Sequence, residues 1–169
     1  RIGDTIENTY DVLTRLDTRQ PGPILPLQTM TYDLAGRLTN VNTPMVGGDP
    51  ASGDYGFTFD TAGRLLVQIM PNNAAVTYEL DENGNRTKLT WPDSYYADYV
   101  FDELNRLTDI KLNGDSSAAL HFDYDDLSRR TGISYINGCE CSYAYEINND
   151  MSSLQHSFVG SSVNFSFNL

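Results

Sequence analysis

Apolar residues along this chain come in short alternating runs, not in the three-and-four spacing of an amphipathic helix. Stretches such as "GFTFD" (56–60) and "LHFDYD" (120–125) place an aromatic or β-branched residue at every second position. Clusters of Gly, Asn, Asp and Pro separate them. A period of two bounded by turn residues predicts strands, so the whole chain reads as all-β.

The pattern also repeats. Aligning on "YDLAGR" at Tyr32 recovers "YDVLTR" at Tyr10, "FDTAGR" at Phe59, "LDENGNR" at Leu80, "FDELNR" at Phe101, "YDDLSR" at Tyr124 and "YEINND" at Tyr145. Phe167 anchors an incomplete eighth unit. The anchors are spaced 22, 27, 21, 21, 23, 21 and 22 residues apart. Residues 1–169 therefore read as one array of hairpins, each too small to be stable alone and each needing its neighbours. The expected object is one long, twisted, curling antiparallel sheet, with strands of roughly 8 residues.

The unit explains its own chemistry. With the anchor at position 0, an acid stands at +1 in all seven complete units: Asp11, Asp33, Asp60, Asp81, Asp102, Asp125 and Glu146. Position +4 holds Thr14, Gly36, Gly63, Gly84, Asn105, Ser128 and Asn149, mostly residues that tolerate positive φ. Asp first and Gly fourth predict a type I turn closed by a G1 bulge, with the carboxylate accepting from turn amides. Position +5 is Arg15, Arg37, Arg64, Arg106 or Arg129 in five units. Flanking the same turn, that arginine is expected to stack on its own unit's ring (Tyr10, Tyr32, Phe59, Phe101, Tyr124), worth about 0.5–2 kcal/mol. Leu16, Leu38, Leu65 and Leu107 at +6 would face a core. The −2 aromatics Phe57, Tyr78, Tyr99, Phe122, Tyr143 and Phe165 share a strand face with the anchors.

Composition narrows the partners. The net charge is −12, from 23 acidic and 11 basic residues, which argues against nucleic acid or an anionic membrane. No apolar run is long enough to span a bilayer as a helix. Cys139 and Cys141 in "GCEC" face one side of a strand, and a bridge between them would be strained, so both read as free thiols.

These residues resemble the YD-repeat, or RHS-repeat, family. The Y-D-x-x-G-R-L core carries the likeness, together with "GNRTKLTWPDSYYADYVFDELNRLTDI" (84–110), which is similar to two consecutive family repeats. The resemblance implies a β-sheet spiral, often a hollow shell that encapsulates a toxin in bacteria, or an adhesion protein in animals, secreted or held at the cell surface. Leu80 departs from the aromatic anchor, and Asn85 and Asp150 depart from Arg. The family's self-cleavage motif and toxin segment are absent from these 169 residues.

Chemistry outside the repeat is sparse. His121 and His156 are the only histidines, and no H-E-x-x-H, G-x-S-x-G or phosphate-loop pattern occurs, so no enzyme and no cofactor is expected. "DENGN" (81–85) looks like part of a calcium loop but lacks the bidentate Glu and is already explained as a turn. Two segments break the period: "RQPGPILPLQ" (19–28), expected to be extended, and an irregular insert at 42–54, the default place for a binding loop. Trp91 could meet a glycan. The closing stretch "SSVNFSFNL" (161–169) would leave an apolar strand edge open to pairing, as in a fragment of a longer chain or a self-associating subunit. The reading is a non-enzymatic structural segment of a large extracellular protein, building a shell wall or a filament with further copies of itself. The alternatives are an adhesin-like module binding protein or glycan, and a wall fragment of a toxin-enclosing shell.

Overall fold

The computed structural model describes residues 5–22, 25–44 and 53–159. All regular structure among them is β. The strands are β1 (Glu7–Tyr10), β2 (Leu16–Gln20), β3 (Gln28–Tyr32), β4 (Leu38–Thr43), β5 (Gly53–Phe59), β6 (Leu65–Ile69) and β7 (Ala75–Leu80). They continue as β8 (Arg86–Thr90), β9 (Tyr96–Phe101), β10 (Leu107–Leu112), β11 (Leu120–Tyr124), β12 (Arg130–Tyr135), β13 (Glu140–Tyr145) and β14 (Met151–Ser157). The sheet order is the sequence order, β1 to β14, and the pairs are antiparallel. Strand lengths of four to seven residues fall short of the expected eight. The reason is that both ends of each hairpin are spent on turns.

Packing divides the chain into two units, Arg1–Tyr78 with Trp91–Asp93, and Glu79–Thr90 with Ser94–Leu169. In the first unit, the hairpins at Tyr10, Tyr32 and Phe59 are joined by β2–β3 and β4–β5 pairing. The prolines of 19–28 fall in the connection between β2 and β3, where the Gln20 side-chain amide donates to the carbonyls of Gly22 and Leu25. No ladder bond has to be given up there. The insert begins later than its 42–54 bounds suggest. Asn42 and Thr43 still pair with Asp54 and Gly53, and the Asn42 amide donates to the Asp54 carboxylate. Residues 45–52, like the Phe167 anchor, Phe165 and the 161–169 strand, lie outside the described residues.

The second unit holds the buried apolar residues found among those described: Ala97, Phe122, Ile133 and Cys141. Phe122, Ile133 and Cys141 come from three adjacent strands and pack with Leu107, Ile110, Leu120, Tyr124 and Tyr143. Leu107 thus serves a core as its +6 position predicts. Elsewhere most strand residues are only half-buried, on both faces.

Six of the tip hairpins share one irregularity that the repeat pattern does not announce. In the first, Tyr10 pairs with Leu16 but Thr9 pairs with Thr18, so Asp17 is an extra residue. Thr39, Leu66, Thr108, Thr131 and Ser152 occupy the same place in later hairpins. Each is a β-bulge two residues beyond the turn, which adds local twist and shifts the side-chain alternation by one.

Candidate functional site

The feature that recurs with fixed geometry is the hairpin tip. The +1 acid and the +5 residue close a three-residue loop: the Asp33 amide donates to the Arg37 carbonyl (2.9 Å), and the Gly36 amide donates back to the Asp33 carbonyl (3.0 Å). The same two bonds recur in all seven tips. Position +4 is left-handed throughout, at φ 83° for Gly36, 59° for Asn105 and 62° for Ser128. A type I turn with the fourth residue in αL requires this backbone.

The acid then fastens the tip. Oδ1 of Asp33 accepts from the amides of Ala35 (3.0 Å) and Arg37 (2.9 Å), while Oδ2 accepts from Arg37 Nε (2.6 Å). Asp11, Asp60, Asp102 and Asp125 hold Arg15, Arg64, Arg106 and Arg129 in the same way. In Asp11, Asp33, Asp60 and Asp102 the +5 amide does most to hold the carboxyl below its ordinary range, aided by the guanidinium. At Asp125 desolvation pushes upward most strongly, and the Arg129 amide and side chain together outweigh it. In Asp81 the Asn85 side-chain amide is the leading cause of the lowering.

Held at Nε, the guanidinium points out of its own hairpin. Arg15 lies over the ring of Tyr32 (4.6 Å to the centroid), Arg37 over Phe59 (4.9 Å), Arg106 over Tyr124 (4.9 Å) and Arg129 over Tyr145 (4.6 Å). Each ring belongs to the following repeat, which corrects the expected pairing of ring and arginine within one unit. The physical reason is that Nε is tied to its own Asp, leaving only the far nitrogen free to reach onward. That nitrogen donates to the carbonyl of the next +1 residue: Arg37 to Asp60 (2.9 Å), Arg106 to Asp125 (3.1 Å), Arg129 to Glu146 (3.4 Å). The covered tyrosines answer in the other direction. Tyr32 donates to the Leu16 carbonyl (2.8 Å), Tyr124 to Leu107 (2.9 Å) and Tyr145 to Arg130 (2.8 Å). A charged donor, a ring face and, where the ring is Tyr, a phenol thus tie these tips to the ones that follow. Tyr10, the first anchor, is 61% exposed, whereas the covered anchors are half-buried.

A second stacking row lies inside the strands. Arg130 covers Phe122 (4.9 Å), and Lys88 covers Tyr96 (4.0 Å) while approaching Asp98 (3.7 Å). Phe101 is half-buried and pairs with Leu107. Trp91 is half-buried just before a turn with Ser94 in αL. Three features escaped the sequence reading. Tips at the opposite sheet end reuse αL at Asn73, Asn113 and Gly138; the Asn and Gly clusters there were the available signal. His121 sits between Asp109 (Nδ1, 2.8 Å) and Asp123 (Nε2, 3.4 Å). Asp109 raises the imidazole's affinity for a proton most, with Asp123 adding to it. Cys141 meets His156, a pairing invisible at fifteen residues' separation. Among the described residues no group of three His, Cys, Asp or Glu is placed to hold a metal ion, and no helix is long and apolar enough to cross a membrane.

No family model and no curated protein matches the chain. Solved structures do. A crystal structure of TcdB2-TccC3-Cdc42 aligns with 96% of this chain at 17% identity and a TM-score of 0.74. A Photorhabdus luminescens Tc holotoxin pore structure, with a TccC3 D651A mutation, aligns with 98% at 17% identity and a TM-score of 0.75. The chain spans about a tenth of the length of those chains, 10% and 9% respectively. At this identity the likeness concerns the fold: this chain folds as a segment of those Tc toxin chains does.

Proposed function

We propose that this chain is a non-enzymatic structural segment, a stretch of RHS-type sheet wall in a large secreted protein. The observation that carries the reading is the joint between tips, in which one arginine is shared between its own repeat's acid and the next repeat's carbonyl and ring. Its Nε is committed to its own Asp, its far nitrogen to a neighbouring carbonyl and its face to a neighbouring ring. Nothing in that joint is left to act on a substrate, and all of it serves to add one hairpin to another. Array continuity over residues 1–169, main-chain pairing with further repeats or further copies, and an extracellular setting belong to the same proposal. The fold likeness to Tc toxin chains and the YD-repeat resemblance support it.

Electron microscopy and sedimentation velocity of the purified chain test self-extension. Assemblies that lengthen with concentration support it. A discrete monomer at every concentration rejects it and leaves a wall role only within a longer chain.

A further inference from the structure

Away from the tips, β13 and β14 build a different kind of site. Cys141 pairs in register with His156, and its sulfur lies 2.8 Å from His156 Nδ1. Both line a cavity of about 250 Å³ with Tyr135, Cys139, Glu140 and Phe158. Cys141 is buried at 7% exposure and is unbridged, as is the half-buried Cys139. The His156 ring stacks on Phe158 (centroids 6.4 Å, planes 17° apart), which limits its rotation. None of these residues takes part in the Asp–Arg–ring joint.

A thiol becomes a nucleophile when a base within hydrogen-bond reach takes its proton and a third contact orients that base. The cavity supplies all three parts, plus an opening of the right scale for a small molecule. Cys141 packs beside Phe122 and Ile133 on one side and meets a ring nitrogen at 2.8 Å on the other, a neighbour that packing alone does not call for.

We propose that Cys141 and His156 form a reactive thiol site that takes low-molecular-weight disulfides by thiol–disulfide exchange. As Cys141 Sγ attacks one sulfur of the disulfide, His156 Nδ1 accepts the thiol proton. A new S–S bond forms to Cys141, the old S–S bond breaks, and the departing thiolate takes the proton from His156. One disulfide and one thiol become one mixed disulfide and one thiol, with no external oxidant. Tyr135 supports the site. It lines the same cavity, and burial first, then Cys141 beside it, raise its phenol's pKa.

The probe is oxidised glutathione, with the chain carrying Cys139→Ser so that one thiol remains. Intact mass and peptide mapping should find a glutathione adduct on Cys141 in the folded protein. Its rate at pH 7 should exceed that of the same chain unfolded in urea by at least about tenfold. His156→Gln should remove most of that advantage while the thermal unfolding midpoint stays put. If His156→Gln disturbs folding, the folded-against-unfolded comparison still decides. A folded thiol that reacts more slowly than the unfolded one, or a rate indifferent to His156 in a well-folded variant, overturns the proposal. This site does not depend on the wall reading, since adduct formation and assembly are measured separately.

Discussion

The tip at Asp102–Arg106 and the tip at Asp81–Asn85 do the same thing with different reach. In the first, the arginine spans from its own acid to the next tip's carbonyl and ring. In the second, the Asn85 amide still donates to Asp81 (2.8 Å) and reaches the next tip too, but only to the Asn105 side chain (2.9 Å), with Asn83 helping (2.9 Å). The turn is unchanged: Gly84 is left-handed at φ 93°, and its amide bonds to the Asp81 carbonyl. The tip at Glu146–Asp150 goes further, since Asn148 caps the loop by accepting from the Asp150 amide (3.2 Å). Turn and joint are therefore separable devices. The turn depends on the backbone at +4, and the joint depends on the length and planarity of the +5 side chain.

The largest effect should come from attacking the turn. Gly84→Val forces a β-branched residue into αL and should cost about 2–3 kcal/mol in urea unfolding. Glu82→Val in the same exposed loop should stay within about 0.5 kcal/mol. Equal effects would refute the αL requirement. Next comes the joint. Arg106→Ala loses the stack on Tyr124 and the bond to the Asp125 carbonyl and should cost about 1–3 kcal/mol, whereas Asn85→Ala, with no ring in its contacts, should cost less than half as much. Arg106→Lys should recover little, because a single ammonium lacks the separate Nε and far nitrogen that bond Asp102 and the Asp125 carbonyl at once. Tyr124→Phe isolates the returning phenol bond to Leu107, at about 1 kcal/mol.

Acid and base should separate tip from strand. Asp102 has its folded pKa lowered from 3.8, so its stabilisation is complete above that value and is lost as pH falls through the folded one. His121 has its folded pKa raised from 6.5. Its contribution is complete below 6.5 and fades as pH rises through the folded value, because a neutral imidazole cannot donate to Asp109 and Asp123 together. Lys111 also faces Asp109 electrostatically, so Asp109→Asn is the cleaner control. The smallest effect is expected at Leu34, fully exposed at the second tip, where Leu34→Ser should leave the unfolding midpoint unchanged.

Much of this was legible before any coordinates. The spacing of Asp and Gly dictates the tips, because a type I turn with αL has few chemical solutions, and the alternation dictates strands. The direction of the arginines was not legible. Sequence places Tyr32 and Arg37 five residues apart, but only the bond from Nε to Asp33 turns the guanidinium toward Phe59. Cross-strand partners set by register, such as Asp109 with His121 and Cys141 with His156, were equally hidden. Register depends on bulges that residue type marks only weakly: Thr39, Thr108 and Thr131 share a residue, but Asp17, Leu66 and Ser152 do not.

Those bulges have a consequence for how such a chain can change length. The anchors are separated by 22, 27, 21, 21, 23, 21 and 22 residues, a mixture of odd and even numbers. In an uninterrupted strand a single added residue would swap inside for outside in everything downstream. Here the extra residue after the tip, with the three-residue loop before it, restarts the count in six of the hairpins. An insertion or deletion at the opposite turns is then a local event whose error is not handed on, and the repeat can drift in length without losing its place.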